Sequence, residues 1–347
     1  MLAVVLQPGN QIALREVPEP RIQGPDEILI QVTTAAICGS DLHAKQGLTP
    51  GLKPGVIMGH EFVGRVVEVG QAVIRFRPGD RVAAPASVWC GCCPSCRRGQ
   101  VQYCERGGIW GGGEIFGSGL QGAQTALVRA PFADACLCAI PDEVPDEQAV
   151  FVGDVLSTGY HAARQGNIRT GDVVAVLGCG PIGLAAVISA GLFGPRRVLA
   201  LDALDNRLEL ARAYGAVPLD VRQGDASELI RQATNGLGAD VVIEAIGNPN
   251  TFLQCLRAVR RGGTVSVVGI FPSKVEFPLG RMSAYGLNLS MGLGALKHMD
   301  RLMALLASGS LDLSPLVTHV FGLEQALEAY ELFEDHKDQC LKVLLKP

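Results

Sequence analysis

The chain has no excess of positive charge: 30 Lys and Arg stand against 34 Asp and Glu among 347 residues, a formal net charge of −4. Nucleic acid and anionic membrane surfaces are recognised by concentrated basic charge, so neither partner is expected. The first ten residues, MLAVVLQPGN, carry no basic n-region and no cleavage site. No signal peptide is expected, and a cytoplasmic location follows. An uninterrupted apolar span is missing too. The longest uncharged stretch, residues 173–195, is long enough to raise the question of a membrane. It is broken by Gly178, Gly180, Pro181, Gly183, Gly191 and Gly194, which suits a buried strand, a turn and a helix. Repeats and low-complexity segments are absent. With 48% apolar and 18% charged residues, the chain has ample material for large cores, and its length suggests roughly two domains.

Cysteine, by contrast, is plentiful, with eleven in the chain. Without a secretion signal these read as metal ligands and buried thiols rather than disulfides. Cys90, Cys93, Cys96 and Cys104 follow C-x2-C-x2-C-x7-C, a spacing that lets four thiolates converge on one tetrahedral zinc at about 2.3 Å. A closed four-sulfur site has no open position, so this zinc is structural. Its charge sum is net −2, for backbone N–H groups and Arg97 and Arg98 to offset, although both arginines read equally well as surface charge. A zinc-finger role for the loop is opposed by the negative net charge and the lack of paired C-x2-C knuckles. Cys92 breaks the spacing and is a spare. Cys136, Cys138, Cys179, Cys255 and Cys340 read as small buried residues. Cys38 is left over.

The first 150 residues are β-rich, with strand-like runs at 27–32, 62–69 and 81–84. Residues 107–122 contain eight glycines and are expected to form an irregular loop. From about residue 150, strand-like VVAVLG, VLALD, VVIEAIG and TVSVVGI alternate with helix-like segments, which implies a parallel sheet with right-handed crossovers. Two amphipathic helices follow, near 300–307 and 323–333. The closing strand, KVLLK, is expected to return to the first domain.

Gly178-Cys179-Gly180-Pro181-Ile182-Gly183 lies between a strand and a helix. That context gives G-x-G-x-x-G its meaning: the glycines allow the turn, the approach of a pyrophosphate and close helix packing, and the helix N-terminus meets the phosphate charge. Asp202 ends the next strand, 19 residues after Gly183. A carboxylate there accepts from ribose hydroxyls and repels a 2′-phosphate, so NAD is expected over NADP. Arg207 either flanks the same ribose or is a solvated helix residue. Another nucleotide, or a methyl donor, is the alternative ligand for this unit.

Cys38-Gly39-Ser40-Asp41-Leu42-His43, Gly59-His60-Glu61 and Gly153-Asp154 contain one sulfur, one nitrogen and one oxygen donor in Cys38, His60 and Asp154. Three ligands leave a fourth position open, the mark of a catalytic zinc. Zn²⁺ with a thiolate, a carboxylate and a neutral imidazole sums to zero, so an alkoxide can bind without a large like-charge penalty. From spacing alone this is one choice among many, and Asp154 reads equally well as a helix cap.

Taken together, ICGSDLH (37–43), GHE (59–61), the four-cysteine loop, GDVLSTGYHA (153–162), GCGPIG (178–183) and Asp202 stand in one order and spacing. In these the chain resembles the zinc-dependent medium-chain alcohol dehydrogenases of the medium-chain dehydrogenase/reductase superfamily, from about residue 28 to the end. The resemblance implies a doubly wound parallel-sheet NAD-binding domain, residues 148–291, inserted in a β-rich, partly open barrel catalytic domain, residues 1–147 plus 292–347. It implies two zinc ions per chain, with Cys38, His60 and Asp154 on the catalytic one. Many members carry cysteine where Asp154 stands, an exchange that keeps ligand charge but swaps a soft donor for a hard one. Glu61 resembles the acid that approaches the metal during ligand exchange. Ser40 resembles the residue that takes the alcohol proton, and His43 the one that passes it to solvent.

Further residues follow from the same resemblance. Thr158 packs behind the nicotinamide, Val268 contacts the cofactor, and Lys342 lies near the pyrophosphate, with a solvated lysine as the plain alternative. Ala86 and Trp110 form pocket walls; a small residue at 86 admits bulky or secondary alcohols, and Trp110 reads equally as a loop anchor. The implied reaction is NAD-dependent interconversion of an alcohol with an aldehyde or ketone, by a homotetramer. Polyol, sugar, threonine or glutathione-free formaldehyde oxidation are rivals on the same scaffold. A non-catalytic zinc-binding protein is a further rival, opposed by the intact open-site residues.

Overall fold

The structure is a computed structural model that describes residues 1–49, 51–112, 119–271, 273–336 and 338–347. Its ten-residue strand Ile28–Ile37 buries most of its length and is the axis of the first of two units. This strand pairs antiparallel with Glu61–Val69 on one side and with Val343–Lys346 on the other. The closing strand therefore does return to the first unit, where it also lies parallel to His319–Gly322. Arg81–Ala84, Cys138–Ala139 and Leu127–Ala130 complete the seven-stranded sheet. Register matters more than strand count here. Ile37 stands opposite Val343 and Ala36 opposite Glu61, so Cys38, His60 and Lys342 leave adjacent strands at the same end.

The second unit is a six-stranded sheet in which every pairing is parallel. Its strands are, in chain order, Val173–Leu177, Arg197–Asp202, Val217–Asp220, Ala239–Glu244, Val259–Val267 and Asn288–Met291. They lie side by side as 3-2-1-4-5-6, the doubly wound order with its switch point beside the first strand. Val173–Leu177 is buried at every position, as a strand covered on both faces must be. The uncharged run that begins there is thus a strand, a turn and the helix Pro181–Gly191. Among the described residues no helix is long and apolar enough to cross a membrane.

The units are Met1–Ser157 with Ala295–Pro347, and Thr158–Gly294. Sequence alone suggests cuts at 147/148 and 291/292. The first cut falls later because the short helices Asp146–Ala149 and Val150–Gly153 are bonded into the first unit. Asp146 accepts from the Thr33 hydroxyl at 2.5 Å and pairs with Arg81. Glu147 receives Lys346 at 2.5 Å, and Gly153 accepts from the Ala86 N–H at 2.9 Å.

The glycine-rich stretch 107–122 is also more ordered at its start than an irregular loop. Gly108–Ile109 pairs antiparallel with Ser87–Val88, while the expectation for residues 113–118 lies outside the described residues.

Burial pushes the Asp146 carboxyl up, but the Thr33 and Arg81 contacts outweigh it and hold the group below its usual range. A depressed folded-state pKa contributes stability that is full above the unfolded pKa of about 3.9 and is lost as pH falls below it. Asp146→Ala is expected to cost about 1–3 kcal/mol at neutral pH. The gap to the parent should close on acidification below about pH 4, read from denaturant midpoints. A gap that does not change with pH would assign the loss to packing instead.

Candidate active site

Four donor side chains, those of Cys38, His60, Glu61 and Asp154, bring their ligand atoms within 4.8 Å of one another in the first unit. Each arrives for a local reason. Cys38 directly precedes the helix Gly39–Lys45, and the side chain of Asp41 accepts from the Cys38 N–H at 2.9 Å, closing that helix start. His60 and Glu61 sit where the next strand begins. Asp154 follows the short helix Val150–Gly153 as the residue at its C-terminal end.

The His60 ring is held from both sides. Nδ1 lies 3.4 Å from Asp41 Oδ1, while Nε2 lies 3.5 Å from Asp154 Oδ2 and 3.3 Å from the Ser40 hydroxyl. An outer carboxylate on one ring nitrogen is the usual way to aim the other at a metal. Sulfur, nitrogen and oxygen donors together suit zinc, and bonds of about 2.0–2.3 Å let one ion bridge this span. Two observations support the fit. Glu61 Oε2 is buried without a partner, which is costly unless something satisfies it. Burial lowers the His60 pKa, yet Asp41, Cys38 and Asp154 together drive it well above its ordinary value. Anionic groups dominate this point in the fold, and a divalent cation would balance them.

Glu61 is steadied by Lys342, whose ammonium donates to Glu61 Oε1 at 2.7 Å and to the Ile37 carbonyl at 3.2 Å. Burial pushes the Glu61 carboxyl up, opposed by the lysine. The sequence reading put Lys342 at a pyrophosphate or in solvent. The structure corrects this: Lys342 is 1% exposed, and its charge is committed to Glu61, because strand register places it beside the metal-binding end.

The second cluster is the cysteine loop. Cys90 and Cys104 Sγ atoms lie 3.6 Å apart, and those of Cys93 and Cys104 3.9 Å. Tetrahedral zinc with bonds of about 2.3 Å separates its sulfurs by about 3.8 Å, so the four fit one ion and form no disulfide. Burial works against the Cys90 thiolate, but the backbone N–H groups of Cys92 and Cys93 outweigh it and bring its pKa down to about 6. Arg97 and Arg98 are exposed. Cys92 is exposed and stands outside the group of four, and the five cysteines read as small buried residues are buried.

In the second unit, Gly178 has φ +90°, and a Cβ on Gly183 would fall 1.7 Å from the Gly178 carbonyl oxygen. Only glycine allows the helix to sit this close to the turn. Gly180 caps the helix Pro181–Gly191 without a side-chain bond, leaving first-turn N–H groups for an anion. Ile182 lies in the first turn.

Asp202 braces this turn. Its Oδ2 accepts from the Cys179 N–H at 2.8 Å, and its Oδ1 from Ala203 at 2.8 Å and Leu204 at 3.1 Å. Arg207 is not solvated: it pairs with Asp202 at 3.5 Å, and its Nε is buried without a partner. Val268 follows the fifth strand, its N–H on the Glu244 carbonyl at 3.0 Å.

Trp110 sits in the core of the first unit. It is 1% exposed, donates its indole N–H to the Pro85 carbonyl at 2.7 Å and meets Phe62 edge-on at 5.2 Å. A buried indole with its N–H satisfied anchors the loop, the other role that the sequence allows for it. Ala86 is buried beside it, and its carbonyl accepts from the Trp110 N–H at 3.2 Å. His43 lies partly buried on the helix after Cys38, and Thr158 partly buried in the helix Val155–Gln165.

Sequence reasoning missed the supports. Asp41 was in plain view inside ICGSDLH. Gln124 and Tyr330, which reach the same cluster, carry no local signal. Glu244, which ties the loop after the fourth strand through the Ile246 and Gly247 N–H groups and the Thr251 hydroxyl, was read only as part of a strand.

Comparison with known proteins bears on this geometry. Residues 24–142 match the family described as Alcohol dehydrogenase GroES-like domain, and residues 181–308 that described as Zinc-binding dehydrogenase. An alcohol dehydrogenase of Cupriavidus necator strain H16 is 38% identical over 99% of this chain and 98% of its own. The solved alcohol dehydrogenase TADH from Thermus sp. ATN1 is 43% identical, with a TM-score of 0.94, over 100% of this chain and 99% of its own. An NADP-bound structure from Sinorhizobium meliloti 1021 is 30% identical, with a TM-score of 0.88, over 100% of this chain and 99% of its own.

Cys38→Ser is expected to lower bound zinc from two ions per chain to one, by elemental analysis, with nucleotide binding retained. Equal zinc in the variant and the parent would remove Cys38 from the ligand set.

Proposed function

The chain belongs to the zinc-dependent medium-chain alcohol dehydrogenases, and from that premise we propose that it oxidises a small alcohol to an aldehyde or ketone, reversibly, with NAD⁺ as the hydride acceptor. The observation that carries this reading is the convergence of Cys38, His60, Asp154 and Glu61 with the Ser40 hydroxyl beside His60 Nε2. Zinc on Cys38, His60 and Asp154 would supply the Lewis acidity that lowers the pKa of an alcohol hydroxyl. The nicotinamide supplies the acceptor for the hydride that leaves the substrate carbon.

The chain's own groups do the rest. Asp41 fixes the imidazole so that Nε2 faces Asp154 and Ser40. Ser40 is placed to take the substrate proton through a hydrogen bond. His43, three residues along the same helix, hands that proton to solvent, a task suited to a side chain with a reference pKa near 6.5. Lys342 holds one oxygen of Glu61, leaving the other directed to the donor cluster. A zinc held by Cys90, Cys93, Cys96 and Cys104 would have no vacant position and would take no part in the chemistry.

NAD is preferred over NADP because Asp202 keeps a carboxylate at the turn where a 2′-phosphate would bring further negative charge. Arg207 works in the opposite direction, and its pairing with Asp202 spends its charge. Asp202→Gly is expected to weaken NAD about tenfold and to shift the NAD/NADP ratio of kcat/KM toward NADP, since Arg207 is then released. An unchanged ratio would place the discriminating residue elsewhere.

The reaction itself is tested by following reduced nicotinamide in its near-ultraviolet band across primary and secondary alcohols, polyols and aldehydes. Cys38→Ser should lose about a hundredfold or more in turnover. Normal turnover of that variant, or no turnover by the zinc-loaded parent on any of these substrates, would overturn the reading.

A further inference from the structure

Behind Asp41 lies a buried hydrogen-bond chain whose far members, Gln124 and Tyr330, have no part in the mechanism above. The Tyr330 hydroxyl donates to Gln124 Oε1 at 2.9 Å. The Gln124 amide donates in turn to Asp41 Oδ2 and to the Ala36 carbonyl, each at 3.4 Å. Asp41 meets the His60 ring with one oxygen and the Cys38 N–H with the other. Gln124 and Tyr330 are both 0% exposed. The chain therefore runs from the helix Ala326–Asp335, near the C-terminus, to two zinc ligands near the N-terminus.

Gln124 also bears on the His60 arm directly. Its backbone N–H donates to the Met58 carbonyl at 2.9 Å. A Cβ on Gly59, where φ is +90°, would lie 2.6 Å from Gln124 Cγ. One residue thus meets both ligand-bearing segments, through its amide on the Asp41 side and its backbone on the Met58 side. At the surface the same two helices are tied by Lys45 and Gln46, both on Glu334, at 2.5 and 2.9 Å.

The direction of the amide is what matters. A primary amide presents a donor at one end and an acceptor at the other. The carboxylate of Asp41 needs the donor end. The Ala36 carbonyl takes the donor end as well, and the Tyr330 hydroxyl holds the acceptor end on the opposite side, so all three contacts favour the same way round. Without that hydroxyl, Gln124 Oε1 is buried and unsatisfied, and a flipped amide would set an oxygen against Asp41. Asp41 would then lose its hold on His60 and on Cys38 together.

We propose that Tyr330 and Gln124 are positioning residues for the catalytic zinc: they lock Asp41, and through it Cys38 and His60, in the zinc-binding arrangement. The inference rests on the metal reading given above, and the test separates the two. Full-length Tyr330→Phe is loaded with zinc and titrated with a chromophoric chelator. A parallel cobalt(II) sample, whose visible bands differ between one-sulfur and four-sulfur sites, reports which site empties.

The dissociation constant at the Cys38 cluster should rise about tenfold, as it does when an outer-shell partner of a metal ligand is lost, with the four-cysteine site unchanged. Gln124→Met should reproduce the rise, and the double variant should add nothing, since the two act through one contact. Metal-free Tyr330→Phe should unfold at a somewhat lower denaturant midpoint, since Gln124 Oε1 loses its donor. Unchanged affinity at the cluster, parallel weakening of both sites, or a lower midpoint with normal affinity would each overturn the proposal, the last by leaving Tyr330 a merely structural role. A parent that binds one zinc, wholly on the four cysteines, would sink the metal reading and this inference with it. Should Gln124→Met fail to fold, the tyrosine variant alone decides.

Discussion

Everything at the candidate site depends on antiparallel register at one end of a sheet. Ile37 faces Val343 and Ala36 faces Glu61. Those two pairings deliver a thiol, an imidazole, a carboxylate and an ammonium, drawn from residues 38, 60, 61 and 342, to one buried place. A shift of one residue in either pairing would turn these side chains to the opposite face. Charge follows from register. Glu61, Asp41, Asp154 and Cys38 gather anionic capacity away from water, where an isolated charge is expensive. The Lys342–Glu61 pair is buried on both sides. Such pairs are poor sources of net stability, so its value lies in holding one carboxylate oxygen still while the other remains free for the cluster.

The two clusters that could hold a metal arrange their donors in opposite ways. In the loop 90–104, sulfurs spaced for a tetrahedron would close the coordination sphere of a zinc, and backbone N–H groups donate to two of the sulfurs. Around Cys38 the donors are mixed and their outer partners are side chains from distant segments. The loop is a local object that nearby residues can build on their own. The second cluster gathers donors from residues 38, 60, 61 and 154, and its supports Lys342 and Tyr330 come from the last part of the chain.

That difference decides how much was legible beforehand. The cysteine loop, the glycine turn and Asp202 are local, and their spacing carries their meaning. The alternation from Val173 onward implies a parallel sheet, because strands buried on both faces read as continuous apolar runs. Trp110 and Lys342 were harder. A tryptophan in a glycine-rich stretch is compatible with a wall or an anchor, and only the Pro85 carbonyl and the Phe62 ring show the anchoring. A lysine in a terminal strand carries no mark of the carboxylate it will meet 281 residues away. The end of the first unit is hard to see in the sequence for the same reason. Composition changes near residue 150, but Asp146, Glu147 and Gly153 are held by bonds to residues far back and far ahead.

The amino-acid sequence by itself determined the donor types, the closed thiolate loop, the phosphate-binding turn and the alternation that makes the second unit a parallel sheet. Each depends on spacing within a few tens of residues, where chain geometry leaves few options. Only the tertiary structure decided that Asp154 reaches His60, that Glu61 is held by Lys342, that Arg207 is spent on Asp202, and that Tyr330 and Gln124 stand behind Asp41. Those contacts join segments whose separation along the chain leaves their meeting to strand register and core packing.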